Sequence, residues 1–128
     1  MKKVVLGSRI LVGLMFVVFG LNGFLNFIPN PPMSAEAGAL MGAFAKTGYF
    51  FPMIKTLEIV IGLFILTNIY LPLAIVALTP ILIGITSIHV FLNPAGLPMM
   101  IIVHILHGIL VYGYRSSFKG LLSLKAKV

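Results

Sequence analysis

Four long apolar segments follow one another along this chain, at about residues 4–25, 50–66, 70–92 and 97–114. Each has roughly the 17–25 residues that a bilayer crossing requires. Because lipid offers no hydrogen-bond partners, backbone groups in such segments must pair internally, and we expect helices. Consecutive spanning helices joined by short connections should pack antiparallel. The sequence therefore predicts an all-α, integral membrane four-helix bundle that forms one transmembrane domain over residues 1–128.

The composition supports a membrane chain and excludes other classes. Hydrophobic residues make up 60% of the chain and charged residues only 9%, whereas a globular domain carries about 25% charged residues. The net charge is +7, but the basic residues are concentrated at the two chain ends, which indicates membrane topology and not nucleic-acid binding. Since there is no cysteine, disulfides and cysteine-ligated metal centres are excluded.

The positions of the basic residues predict the orientation. Seven of them flank the first and last helices, while the connections at the opposite side carry almost none. By the positive-inside rule both termini therefore face the cytoplasm. Arg9, about one turn inside the first helix, is expected to snorkel to phosphates or carbonyls on that side. The seven residues are Lys2, Lys3, Arg9, Arg115, Lys119, Lys125 and Lys127.

The connection between the first two spanning helices contains a further short helix, predicted over residues 34–46. Ser34 is a suitable N-cap, Glu36 suits the first turn, Lys46 suits the last turn and Gly48 can end the helix. Its apolar residues fall on one side. Two interpretations stay open: an interfacial helix that lies on the outer leaflet, or a lid over the mouth of the bundle.

The polar residues of the spanning helices point to a candidate site in the outer half of the bundle. Lys55 and Glu58 lie inside an otherwise apolar segment, and an ionisable pair in a membrane is a functional-site hypothesis by default. At about 1.5 Å of rise per residue, Glu58 lies roughly 12 Å below the outer boundary. Polar residues of the other helices are expected to converge with it. The candidates are Lys55, Glu58, His89, His104 and His107.

Other readings of these residues stay open. Lys55 and Glu58, three residues apart, can neutralise each other, and histidines can serve as hydrogen-bond contacts between helices. The primary expectation is that the chain binds no metal. As an alternative, Glu58, His104 and His107 could form a two-histidine, one-carboxylate metal site. Asn22 and Arg115, together with Arg9, are assigned structural or topological roles.

Seven segments carry a resemblance to a known family: 9–22, 31–33, 47–63, 71–74, 89–92, 94–98 and 112–115. In their order and spacing they resemble the DoxX family of small bacterial membrane proteins, over nearly the whole length of the chain. The resemblance implies four transmembrane helices in the bacterial inner membrane, and it implies links to quinone-coupled sulfur oxidation and membrane oxidoreductase complexes, while distant relatives look like chaperones or cargo receptors. It points to Arg9, Lys55, Glu58 and His89, whereas His107 departs from it because relatives often carry an acidic residue there.

The functional hypotheses fall into different classes. The first is a redox-associated membrane subunit that binds a quinone or a similar lipophilic molecule, with His or Lys donating to its carbonyls and Glu58 exchanging the coupled proton. The second is a non-enzymatic assembly partner or scaffold for another membrane protein, or a homo-oligomer, with small-residue faces in contact. The last hypothesis is a transporter, which the absence of an obvious inverted repeat disfavours. No complete catalytic set is present, so no catalysis by the chain alone is predicted.

Overall fold

A computed structural model describes all 128 residues. The five predicted helices form, with bounds within two residues of those expected from the sequence. Two short 3-10 helices, Pro94–Gly96 and Arg115–Leu122, were not predicted. The α-helices are α1 Lys2–Leu25, α2 Ala35–Lys46, α3 Phe50–Thr67, α4 Leu71–Phe91 and α5 Leu97–Gly113.

The four long helices form a closed ring in the order α1, α3, α4, α5, with α5 packed back against α1. Helix α2 packs beside α3. Because neighbours along the chain run in opposite directions, α1 begins and α5 ends at the same end of the bundle. We call this the basic end, after Lys2, Lys3 and Arg115, and we call the opposite end, where α2 lies, the α2 end.

Helices α1 and α3 make the closest contact in the bundle, and glycines make it possible. A Cβ atom added to Gly62 of α3 would lie 2.8 Å from the backbone nitrogen of Val17 in α1. One added to Gly13 of α1 would lie 2.9 Å from Cα of Leu66 in α3. Small residues let membrane helices approach until their backbones touch. The face of α1 that contains Gly13 is therefore used within the chain, against α3.

The outer surface of the bundle is apolar. Only 20 of the 128 residues are buried, and large hydrophobic side chains such as Ile83 and Ile105 are 60% and 58% exposed. Four helices are long and apolar enough to span a bilayer, namely α1, α3, α4 and the segment 94–113 that contains α5. Lipid is the environment that matches such a surface. The chain is an all-α, multi-pass membrane protein with the predicted fold.

The interior contacts of the ring come from all four long helices. Val12 of α1, Ile65 of α3, Leu78 of α4 and Leu110 of α5 have no measurable exposure. Phe118, in the 3-10 helix after α5, joins the same apolar cluster and closes it at the basic end. This core occupies the centre of the ring. Polar groups therefore lie mainly towards the two ends of the bundle and at the contacts between neighbouring helices.

Candidate ligand-binding site between helices α2, α3 and α4

A cavity with a volume of about 700 Å³ lies at the α2 end between α2, α3 and α4. Most of its walls are apolar. Phe44 of α2 and Phe50 of α3 stack with their ring centroids 4.0 Å apart, and Phe51 meets both rings edge-on. All three rings line the cavity, and together they join the end of α2 to the start of α3. The cavity thus has a largely aromatic and aliphatic wall.

The Lys55–Glu58 pair forms one polar part of the cavity wall. Nζ of Lys55 donates to Oε2 of Glu58 at 3.1 Å, and the two side chains are 25% and 5% exposed. The alkyl stem of Lys55 lies across Gly23 of α1, where a Cβ would collide with it. Since Gly23 leaves this space, the ammonium group is held beside the carboxylate and inside the apolar segment. Lys55 and Glu58, three residues apart on α3, thus form an ion pair.

His89 of α4 also lines the cavity, together with Asn93. Its Nδ1 lies 3.3 Å from the carbonyl oxygen of Asn93, and its ring packs on Gly96, where any side chain would overlap with it. The imidazole is therefore held by the turn between α4 and α5. Lys55, Glu58 and His89 contribute to the same cavity, as the sequence predicted for these three residues.

Helix α2 covers the cavity, and hydrogen bonds attach its first residues to the end of α4. The hydroxyl of Ser34 accepts from the backbone N–H of Ala37 at 3.1 Å, which caps α2, and it donates to the carbonyl of Leu92 at the end of α4. The backbone N–H of Ser34 donates to Oδ1 of Asn93 at 3.3 Å. Ala37, at 2% exposure, is buried against the bundle. Of the two interpretations left open by the sequence, an interfacial helix on the outer leaflet and a lid, this geometry favours the lid, because residues of α2 line the cavity.

The side of the cavity along α4 faces the lipid. Pro80, Gly84 and Ser87 line the cavity and are themselves exposed on the outer surface. A Cβ added to Gly84 would meet no atom within 4 Å, so this glycine leaves open space. Pro80 lies one turn before it and lacks the N–H that a helix interior normally uses. The edge of the cavity along α4 is therefore formed by exposed residues and lies outside the bundle core.

His104 and His107 do not belong to this site, contrary to the prediction. His107, at 8% exposure, lies between α5 and α4, with Nε2 3.1 Å from the carbonyl oxygen of Ile75 and 3.3 Å from Oγ1 of Thr79. His104 is exposed on the outer surface, where its Nε2 is 2.7 Å from Oγ1 of Thr86. Each histidine forms its own contact between helices.

The alternative metal set of Glu58, His104 and His107 is not assembled either. No group of three or more histidine, aspartate or glutamate side chains comes close enough to hold an ion. The physical reason is the rotation of α5: residues three apart differ by about 60° around a helix. That difference is enough to place His107 inside the α4–α5 contact and His104 outside it.

The three residues assigned structural roles each make a contact within the chain. The NH1 group of Arg9 donates to the hydroxyl of Tyr114 at 3.3 Å, which ties α1 to the end of α5. Oδ1 of Asn22 accepts from the N–H of Ile28 at 2.7 Å and so orders the chain after α1. Arg115 donates to the carbonyl of Tyr112 at 2.7 Å and stacks over its ring.

Some residues that shape the cavity were not recognised from the sequence. Pro80 and Gly84 lie four residues apart and so share one face of α4. A proline and a glycine at this spacing could have indicated a face with few side-chain atoms, where the cavity wall is set back. Asn93, which the sequence did not mark as a site residue, connects the lid to His89. Comparison with family models, curated proteins and solved structures finds no match.

Proposed function

We propose that this membrane protein binds a lipophilic molecule with an uncharged, hydrogen-bonding head, of which a quinone is the best example, in the cavity between α2, α3 and α4. It would do so as a DoxX-like, redox-associated subunit in the bacterial inner membrane, with both termini in the cytoplasm. The single observation that carries this proposal is the combination of an apolar cavity of about 700 Å³ with the Lys55–Glu58 pair and His89 in its wall.

The size and walls of the cavity suit such a ligand. Pockets for small organic molecules measure about 300–1,000 Å³ and combine apolar walls with a few polar groups. Aromatic rings such as Phe50 and Phe51 favour stacking with a flat ring system. The exposed edge along Gly84 gives room for an apolar tail to extend into the bilayer. Amphiphiles of this shape would be delivered by the membrane itself.

The charges in the wall favour a neutral head over an anionic one. Lys55 and Glu58 form a pair with no net charge, so a carboxylate or phosphate head would meet repulsion from Glu58 as well as attraction to Lys55. A carbonyl oxygen needs only a donor, which Lys55 or His89 can supply. When a partner oxidises the reduced ligand, Glu58 would accept the proton that is released, and when a partner reduces the ligand, Glu58 would return it. Electrons would have to come from that partner, because the side chains of this chain carry none.

The experiment that tests this function uses two glycines that both leave open space in spanning helices. Gly84→Phe places a ring in the cavity, whereas Gly108→Phe places it on the outer surface of α5, where an added Cβ also meets nothing within 4 Å. A water-soluble short-chain quinone is titrated into each purified protein by calorimetry in mild detergent. We expect micromolar binding by the unsubstituted protein and Gly108→Phe, and at least a tenfold loss in Gly84→Phe. Equal binding by all three would refute the proposed site.

One observation favours the second candidate function, an assembly partner for another membrane protein or for a second copy of the chain. His104 lies near the middle of α5 and is exposed on the surface that faces lipid. A polar side chain is costly in that position and usually faces protein or water. Gly108, one turn further along α5, leaves room for close approach of another helix. A protein surface over His104 would satisfy both residues.

This second function can be tested by cross-linking, since the chain has no cysteine of its own. Ile105→Cys lies beside His104 on the exposed face of α5, and Leu63→Cys is a control on the exposed face of α3. In native membranes Ile105→Cys should form a specific cross-link, to a second copy or to another polypeptide, whereas Leu63→Cys should not. If both cysteines behave alike, the α5 face has no partner.

A further inference from the structure

A second, smaller cavity of about 270 Å³ lies at the basic end, where the start of α1 meets the end of α5. Lys2 and Arg115 are its two charged residues, and Tyr112 and Tyr114 are its aromatic ones. Gly113 forms its floor: a Cβ added there would lie 2.7 Å from Cγ2 of Val5, so α1 and α5 touch at this point. The cavity lies at the opposite end of the bundle from the one described above.

The charges around this cavity are all positive. Seven of the nine basic residues belong to the segments that begin α1 or follow α5, and neither acidic residue does. Glu36 is in α2, and Glu58 is bound to Lys55. Lys2 and Arg115 therefore have no carboxylate partner. Their charges are available to an anion that comes from outside the chain.

The guanidinium group of Arg115 is held in a fixed position. Its NH1 donates to the carbonyl of Tyr112 at 2.7 Å, and its central carbon lies 4.1 Å above the Tyr112 ring. This uses one of five N–H donors, so the group can still offer the paired donors that phosphate oxygens accept. Fixing an arginine before binding reduces the entropy lost when the anion arrives.

The apolar part of the cavity indicates what the anion is attached to. Leu6 lines the cavity and is 46% exposed on the surface that faces lipid. Tyrosine side chains are enriched at the level of lipid headgroups, where one end of the ring is apolar and the other is wet. Tyr114 accepts a hydrogen bond from Arg9 and keeps its own hydroxyl hydrogen for donation. An amphiphile with a phosphate head and an acyl chain matches both the charged part and the apolar part of this cavity.

We propose that the basic end binds the phosphate head of an anionic phospholipid between Lys2 and Arg115, with its glycerol and acyl portion along Leu6. The occupant is a membrane lipid and not a soluble phosphate, because half of the recognised surface is apolar. The site does not depend on the function proposed for the other cavity. It makes one end of the bundle selective for anionic lipid in addition to the general attraction of a positive surface.

The test compares two double substitutions that remove the same charge from the same side of the protein. Lys2→Gln with Arg115→Gln removes both charges of the cavity, whereas Lys125→Gln with Lys127→Gln removes two charges outside it. Each protein is stripped of lipid in neutral detergent and titrated with phosphatidylglycerol or phosphatidylcholine by native mass spectrometry. All four residues are exposed, and circular dichroism checks that the helices remain.

A basic residue near an anionic lipid contributes about a fivefold preference, so the unsubstituted protein should prefer phosphatidylglycerol by about 25-fold. The cavity double variant should lose this preference, the control should keep it, and Lys2→Gln alone should lose about fivefold. Millimolar inorganic phosphate should not displace the lipid. Equal loss in both double variants would show a diffuse charge effect, and displacement by phosphate would show a simple anion site; either result overturns the proposal.

Discussion

Removing one partner of the Lys55–Glu58 ion pair should lower the free energy of unfolding, by an amount that depends on which partner is removed. Lys55→Met leaves a carboxylate that is 5% exposed without its only hydrogen-bond partner. Breaking a fully buried ion pair costs about 3–5 kcal/mol, so we expect about 3 kcal/mol here. Glu58→Gln leaves an amide that still accepts from Lys55, and Lys55, at 25% exposure, keeps some access to polar surroundings. Glu58→Gln should therefore lower the free energy of unfolding by only about 1 kcal/mol.

The double variant shows whether the two residues act as a pair. Lys55→Met with Glu58→Gln contains no unpaired charge and should cost about 1–2 kcal/mol, so the coupling energy of the cycle should be about 2–3 kcal/mol. The free energy of unfolding is measured in mixed micelles by titrating a denaturing detergent and following helix content. Lys46→Met, which removes an exposed lysine at the end of α2 with no ion-pair partner, should change stability by no more than about 0.5 kcal/mol.

A coupling energy below about 0.5 kcal/mol would refute this reasoning, since the two side chains would then contribute independently. The same variants separate stability from function. Because Glu58→Gln keeps the shape of the side chain and most of the stability, the proposed proton exchange at Glu58 predicts a loss of activity in complementation that exceeds its loss of stability. Full complementation by Glu58→Gln would remove this residue from the site.

Three further substitutions have defined outcomes. Gly62→Ala should lower the free energy of unfolding by about 1–3 kcal/mol, because the new Cβ meets the backbone of Val17; full stability in the same detergent titration would contradict the close α1–α3 contact. Ser34→Ala should cost about 1–2 kcal/mol and accelerate hydrogen exchange in α2, and unchanged exchange would mean that the lid is held elsewhere. Tyr114→Phe should cost about 1–2 kcal/mol by removing the acceptor of Arg9, a loss visible in thermal unfolding.

The helices and their order could be predicted from the sequence because the lipid imposes both length and apolarity. Residues 34–46 were recognisable because Ser34 and Gly48 mark the two ends of a helix. These features are local, so a single segment contains the information that specifies them.

The histidines of α5 show where prediction from the sequence stops. Helix α5 is apolar on all sides, so the sequence does not reveal its rotation, and His104 and His107 were assigned to one interior face. Their separation around the helix instead places one inside the α4–α5 contact and the other on the surface. The partner of Arg9 was missed for a related reason: Tyr114 is 105 residues away along the chain. The cavity likewise depends on how α2 folds back over α3 and α4.

The measurement that tests the central claim most directly is photo-labelling in native membranes with a quinone analogue that carries a light-activated group. Labelled peptides are identified by mass spectrometry, with and without an excess of unlabelled quinone. The account predicts label in segments 33–58 and 80–93, which contain the residues that line the cavity between α2, α3 and α4, and its disappearance on competition. Label confined to the exposed face of α5 around Ile101 and Ile105, or label that competition does not reduce, would contradict the account.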